Sequence, residues 1–376
     1  MMINKNHFYG FLCGMLVYIT QFDVKNLIPV AILSIGVMAR HYSFKRGSAI
    51  QRLGIPILLT FMVLQTLLFK MDELVIASRF LMYPVLLFLA YSIRINYQFM
   101  VAFSYVVITI FLIDFLFNAH ALIFGEDILG RLLGRRPGDI FPRLIGVYGF
   151  SFISIGVTVS ALIAGLFIKK YWIVFLAVII LFLTGSIRGS VYSLVFISAI
   201  ISTKLFSNKR LRFSLAVACG LTVVFGTFIF SDLSSNNLRI LSFGYGFREI
   251  LELPILGNSG FLPIEKGPND GMTLDLLILS GNAEQQLMNF AIHFGIPILI
   301  LFIAIVYSLT PTLNTSQGNC NKHILFVQSV SIFVITADLF FGHVFTFFPF
   351  AIYSMLLLLS LNKHVYKVQY PNKLNQ

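Results

Sequence analysis

Six arginines and one lysine crowd two stretches of an otherwise apolar chain: Arg131, Arg135, Arg136 and Arg143 within residues 118–143, and Arg239, Arg248 and Lys266 within residues 231–285. A guanidinium presents a planar fork of donors that matches phosphate-type oxygens two at a time and never loses its charge, whereas lysine is the ordinary solubilising cation of a loop. The bias toward arginine therefore points to a polyanionic ligand. The competing explanation is local ion pairing, because Glu126, Asp127, Asp139, Glu249 and Glu252 lie close by in sequence. Arg188 stands apart, in Thr184-Gly185-Ser186-Ile187-Arg188-Gly189-Ser190, the break between two apolar runs. A charge there either faces an anion in a polar cavity or snorkels from a helix end.

A second group of polar residues opens a long apolar run at Glu284-Gln285-Gln286, and Gln285, Asn289 and His293 recur every four residues, which stacks them on one helical face. Glu284 is placed to orient or deprotonate a hydroxyl, or else serves as a helix-start acid favoured by the dipole. The stripe behind it contacts a ligand or hydrogen-bonds neighbouring helices. Gly257 and Gly260, in Pro254-Ile-Leu-Gly257-Asn-Ser-Gly260, allow the chain to turn tightly. Cys13, Cys219 and Cys320 show no paired spacing and no two histidines have ligand spacing, so neither a disulfide framework nor a metal centre is expected. No phosphate-binding glycine loop, dinucleotide turn or metalloprotease motif is present, which argues against a soluble nucleotide donor or a bound cofactor.

The elements that must position these groups follow from composition. A chain of 376 residues that is 58% apolar and 11% charged, with mean hydropathy +0.89, departs from water-soluble globular composition. The expectation is an all-α polytopic membrane bundle of about twelve helices, at roughly residues 8–20, 27–39, 50–69, 74–92, 97–117, 144–168, 171–186, 189–206, 211–230, 286–308, 322–340 and 344–361. The first is read as a span, not a removed signal peptide. The whole chain, 1–376, forms one membrane domain with both termini on one side. If that side is the cytoplasm, sixteen of the 27 Lys and Arg lie inward, as topogenesis prefers, and all fifteen carboxylates fall on the outward side or in the outward half of a helix. The formal charge of +12 is thereby a matter of topology and does not call for nucleic acid. The two long loops, 118–143 and 231–285, then both face outward with their arginines.

Four segments in this order resemble a known family. Arg143-Leu-Ile-Gly146-Val-Tyr-Gly149-Phe is similar to its Arg-Leu-x-Gly segment before a helix. Ser186-Ile-Arg188-Gly189 resembles its Ser-Arg-Gly turn with one residue inserted. Arg239, then Gly246-Phe-Arg248-Glu-Ile and Pro254-Ile-Leu-Gly257-Asn-Ser-Gly260, resembles its progression of an arginine, an amphipathic helix and Pro-x-x-Gly-x-Gly. Ala283-Glu284-Gln285-Gln286-Leu287, running to His293-Phe-Gly295-Ile, resembles the helix start that in the related ligases and in some polymerases reads Ala-His-Asn and ends in Gly-Ile. The family is the bacterial O-antigen polymerases of the Wzy type, within the superfamily shared with the O-antigen ligases, and the likeness covers about residues 95–310.

The resemblance implies an enzyme of the bacterial inner membrane that joins undecaprenyl-pyrophosphate-linked oligosaccharide units at the periplasmic face. It implies catalytic roles for Glu284, Arg143 and Arg239, with Arg143, Arg188 and Arg239 on the pyrophosphate and Glu284 on the acceptor hydroxyl. Arg248, Arg135, Arg136, Gly257, Gly260 and Gln285 would line the substrate. Lipid-linked glycans and the membrane are the implied partners, with room for a chain-length regulator and none for nucleic acid, metal or cofactor. Glu284 stands where ligases usually carry histidine, which favours polymerase over ligase. A flippase of the same units also fits the helix number, but the charges crowd one face and the helix interiors carry few.

Overall fold

The computed structural model describes residues 5–19, 97–131, 144–149, 151–183, 187–229, 286–311 and 319–341, with single residues and short runs inside 53–64, 244–257 and 350–361. Among the described residues the chain is helical and contains no β-strand. Its helices are α1 (Lys5–Ile19), α2 (Tyr97–Phe124), α3 (Ser151–Phe167), α4 (Tyr171–Leu183), α5 (Ile187–Leu205), α6 (Lys209–Ile229), α7 (Gln286–Ser308) and α8 (Asn319–Phe341). Two are long and apolar enough to cross a membrane, at Tyr97–Phe124 and Lys322–Phe340; the apolar helices at His7–Tyr18, Ile153–Phe167, Tyr171–Leu183, Gly189–Leu205 and Phe294–Ser308 are shorter. The expected spans at 27–39 and 74–92 lie outside the described residues, and those at 50–69 and 344–361 are helical at the positions described.

Two expected boundaries are corrected. The span foreseen at 97–117 runs on to Phe124, because Asn118-Ala-His-Ala-Leu-Ile-Phe continues the helix until Gly125 takes φ +80° and its N–H bonds to Ala121 O at 3.0 Å. The first long loop therefore begins at 125, not 118. The span foreseen at 144–168 starts at Ser151, because Gly146 and Gly149 adopt φ +60° and +77° and make residues 146–149 a turn.

The bundle closes through small residues and buried hydroxyls. Gly10 and Gly14 lie one turn apart on α1, and both sit against α2 so closely that a Cβ would meet the backbone of Phe99 or the ring of Phe103. The two helices run parallel, since Gly10 abuts Phe99 and Gly14 abuts Phe103 and Val106. This is the small-xxx-small contact, which lets backbones approach where lipid offers no hydrophobic drive. Ser104, Thr158, Ser160 and Ser331 are buried and return their hydroxyl protons to the carbonyls of Met100, Ser154, Gly156 and Val327 at 2.7–2.8 Å. Tyr353 pairs with Ser104 at 2.8 Å and joins a distant part of the chain to α2. Polar groups thus lie inside while Trp172, Phe175, Ile179 and Phe182 of α4 stand exposed, an inverted pattern that water disfavours and a bilayer accepts.

Inter-element bonds also show which helix ends meet. Buried Arg212, near the start of α6, donates to Ser329 of α8, to Pro311 O beyond α7 and, at 3.5 Å, to Ser207 O beyond α5. Gln328 Nε2 donates to Leu309 O at 2.7 Å, and His323 Nε2 lies 3.4 Å from Phe167 O at the end of α3. Hence the ends of α3, α5 and α7 and the starts of α6 and α8 share one end of the bundle. Lys169, Lys170, Lys204, Lys209, Arg210, Arg212 and Lys322 gather there, whereas Asp114, Glu126, Asp127 and Asp338 lie toward the other end.

Two stability predictions follow from these contacts. Gly14→Leu forces a side chain into the Phe103 ring and should cost about 2 kcal/mol, read as a lower melting temperature in detergent with less folded protein recovered. Arg212→Ala strips a bond from carbonyls at two helix ends and should cost about 2 kcal/mol, and Arg212→Lys should recover only part of it because an ammonium cannot span both carbonyls and Ser329.

Candidate functional site

At the acid-bearing end, the segment after Arg143 is held by a buried polar clasp. Asp114 and Asn118 are one turn apart near the C-terminal end of α2, and both are buried. Asp114 Oδ1 accepts the N–H of Val147 at 2.9 Å, while Oδ2 accepts Ser154 Oγ at 2.6 Å and Asn118 Nδ2 at 3.1 Å. Asn118 Oδ1 takes the N–H of Gly146 at 2.9 Å, and Asn118 Nδ2 also reaches Ser154 Oγ at 3.0 Å. From the other side, Arg131 Nη2 donates to Gly146 O at 2.9 Å, and Tyr148 OH donates to Tyr18 O at 3.2 Å. Leu144, the neighbour of Arg143, is fully buried.

The clasp explains both glycines of the Arg143-Leu-Ile-Gly146-Val-Tyr-Gly149 segment. A Cβ on Gly146 would strike the Asp114 carboxylate, and one on Gly149 would strike the Arg131 guanidinium; both positions also have positive φ. Arg131 itself is an internal partner. Its Nε meets Asp127 Oδ2 at 2.5 Å, and Asp127 Oδ1 accepts the N–H groups of Leu129 and Arg131 at 2.9 Å each. Burial pushes the Asp127 carboxyl up, but those N–H groups and the guanidinium outweigh it and hold it below the usual carboxylate range. A carboxyl so depressed contributes stability that is complete above the ordinary value of about 4 and is lost only as pH falls through the lower folded value. The local-pairing alternative is thus the right one for Arg131.

A second mount lies on α7. This helix breaks at Gly295, whose φ of 82° and ψ of 165° are not helical, and Pro297 follows two residues later. Proline lacks an N–H and crowds the carbonyl four residues back, so the ladder fails there. The freed N–H of Ile296 donates to Pro254 O at 2.8 Å, and Gly295 lies so close to the carbonyl of Ile255 that a Cβ would collide with it. Upstream, Gly246 sits against Met288 and Ile292, and Ile250 packs on the same two side chains. Gly257 takes φ +71° as the segment leaves the contact. The Pro254-Ile-Leu-Gly257 and His293-Phe-Gly295-Ile segments, read separately in the sequence, are therefore in backbone contact.

Arg248 lies exposed on this segment and pairs with Glu252 at 3.2 Å, a solvent-screened contact of little energetic weight that leaves its guanidinium open to a ligand. Of Arg188, in the first turn of α5, the backbone alone is described. One turn further on, Tyr192 OH donates to Asp338 of α8, and both residues are buried. This acid on the face of α5 that carries Arg188 was not singled out from sequence; its one signal is an acid inside an apolar run. Nor was the Asp114–Asn118–Ser154 cluster, although Asp114 and Asn118 are spaced four apart. Arg143, Arg239, Arg135, Arg136, Gly260, Glu284 and Gln285 lie outside the described residues. Among the described residues no group of three His, Cys, Asp or Glu could hold a metal ion.

The arrangement can hold two loop segments rigidly where cationic side chains follow or precede them. No protein-family model, curated protein or solved structure matches the chain. The two mounts make a common prediction. Gly295→Ala adds a Cβ both to a backbone conformation that glycine alone tolerates and to an occupied position, so residues 244–257 should detach and become cleavable by protease added to the purified protein. Gly146→Ala should likewise lower the melting temperature, by about 2 kcal/mol in stability, since an L-residue costs about 1–2 kcal/mol in the left-handed region before any clash is counted.

Proposed function

We propose that the chain is a membrane glycosyltransferase of the O-antigen polymerase kind, joining lipid-linked oligosaccharide units at the outer face of a bacterial inner membrane. The observation that carries this reading is the ordered set of arginine-bearing segments, two of which are anchored through the glycines that the resemblance picks out. The grouping of Lys169, Lys170, Lys204, Lys209, Arg210, Arg212 and Lys322 at one bundle end supports a multi-pass topology with that end in the cytoplasm, and the reading puts both termini on that side. The clasped and docked segments then face the periplasm.

The reaction asks for what such a site offers. A hydroxyl oxygen on the terminal sugar of the acceptor unit attacks the anomeric carbon of the donor glycan. The bond from that carbon to the pyrophosphate oxygen breaks, and the lipid pyrophosphate leaves with the electron pair. Charge grows on the leaving group, and fixed guanidinium groups in a partly dry cavity stabilise it without a metal. Arg143, Arg188 and Arg239 are assigned to the pyrophosphate. Glu284 orients the acceptor hydroxyl and takes its proton. Arg248, Arg135, Arg136, Gln285, Gly257 and Gly260 line the glycan path. Energy comes from the pyrophosphate linkage, so no nucleotide is consumed.

The test is surface lipopolysaccharide from a strain lacking the gene beside the complemented strain, resolved on a gel. Core bearing one repeat unit and no ladder is the expected pattern. Core with no repeat would instead indicate a ligase or flippase, and an unchanged ladder would overturn the reading. In the complemented strain, single Arg143→Ala, Arg188→Ala and Arg239→Ala variants at normal protein level should each remove the ladder. Lysine at these positions should restore little where the contact is bidentate.

A further inference from the structure

Lys169 is the one non-glycine residue with positive φ among the described residues, at 61°. It ends α3 in a left-handed cap: Lys170 N–H bonds to Gly165 O at 2.8 Å and Lys169 N–H to Leu166 O at 3.2 Å. Glycine is the residue of choice at the position Lys169 fills, and an L-residue there costs about 1–2 kcal/mol. Strain of this kind is held in place by the surrounding structure and clusters at functional positions. Lys169 and Lys170 are both exposed and, among the described residues, neither pairs with a carboxylate. Lys322 is exposed on α8 next to His323, whose imidazole reaches Phe167 O at the same turn.

The residues that follow give this cationic turn an amphipathic setting. Tyr171 and Trp172 are 59% and 57% exposed, as aromatic residues are at a membrane–water boundary. Below Tyr171, Phe175, Ile179 and Phe182 stand exposed at helical spacing and continue an apolar stripe along α4. Cations, then interfacial rings, then an apolar track match the headgroup, glycerol region and acyl chain of a lipid in that order. A free phosphate would use only the first of these. Basic clusters between helices at the cytoplasmic side are suited to acidic headgroups.

We propose that the Lys169–Lys170 turn, with Lys322 beside it and the exposed stripe of α4 below, is a binding site for an anionic phospholipid. The site is at the opposite end of the bundle from Arg131 and the clasp around Asp114. It rests on the membrane placement of the helices and is independent of the glycosyl-transfer reading.

Trp172 is the only tryptophan in the chain and reports on the site directly. The full-length protein is reconstituted into phosphatidylcholine bilayers, and Trp172 fluorescence is quenched with brominated phosphatidylglycerol or brominated phosphatidylcholine. Phosphatidylglycerol should quench at several-fold lower mole fraction. Lys169→Gly should reduce that preference about fivefold while melting no lower than the parent, because glycine suits the cap. Lys170→Gln and Lys322→Gln should each reduce it too. Lys204→Gln, which removes a cation from another turn at the same end, should leave it unchanged. Equal quenching by the two lipids would overturn the proposal, as would a preference unmoved by Lys169→Gly, or one lowered as much by Lys204→Gln, which would mean surface charge alone.

Discussion

A peptide N–H or carbonyl withdrawn from water must find another partner or cost several kcal/mol, and this single requirement organises every irregular segment seen here. Helices satisfy it internally, so the demands fall where a helix stops or breaks. The turn at 146–149 has its N–H groups taken by Asp114 and Asn118 and its carbonyl by Arg131. The break at Gly295 hands the N–H of Ile296 to Pro254. Carbonyls beyond α5 and α7 are taken by Arg212 and Gln328. Asp114, Asn118, Arg212 and Gln328, all buried, are each bonded to such a piece of backbone.

The same requirement turns loops into rigid parts. A loop in water is bonded to solvent and can move; one whose peptide groups are bound by buried side chains cannot do so without losing several bonds at once. Leu144 and Gly146 are fixed in the turn that follows position 143, and Pro254, Ile255 and Gly257 are fixed against α7. For the proposed glycosyl transfer, in which anions must be held and a hydroxyl oriented, a rigid base under a long side chain is the valuable feature, because misplacement by an ångström weakens a charge contact and spoils the attack geometry.

Charge follows a different logic at the two ends. At one, cations gather at helix ends, Arg212 binds the carbonyls beyond two of them and Lys169 occupies a strained position. At the other, Arg131 is neutralised by Asp127 and Arg248 lies open beside Glu252, so arginines of similar sequence context take unlike roles. Burial separates them: the Asp127 carboxylate is inside and must be paired, whereas Glu252 keeps water as a partner.

Apolar runs, charge sorting and glycine positions were legible in the sequence because they depend on neighbours along the chain. The helices at 171–183, 187–205, 209–229 and 286–308 fall within a few residues of where hydropathy puts them, and Gly146, Gly257 and Gly295, which stand in the segments singled out by pattern, all take positive φ. The extension of α2 to Phe124 was hidden because Asn118 and His120 read as loop residues by polarity, although both are carried on helix. Partnership was not legible at all. That Asp114 holds Val147, that Gly10 and Gly14 seat α1 on α2, that Ile296 bonds to Pro254 and that Tyr192 bonds to Asp338 depend on contacts between residues up to 146 positions apart. Local sequence decides which peptide groups will lack an intrahelical partner; only tertiary packing decides which side chain or carbonyl arrives to bind them, since that choice is made by the whole bundle closing at once.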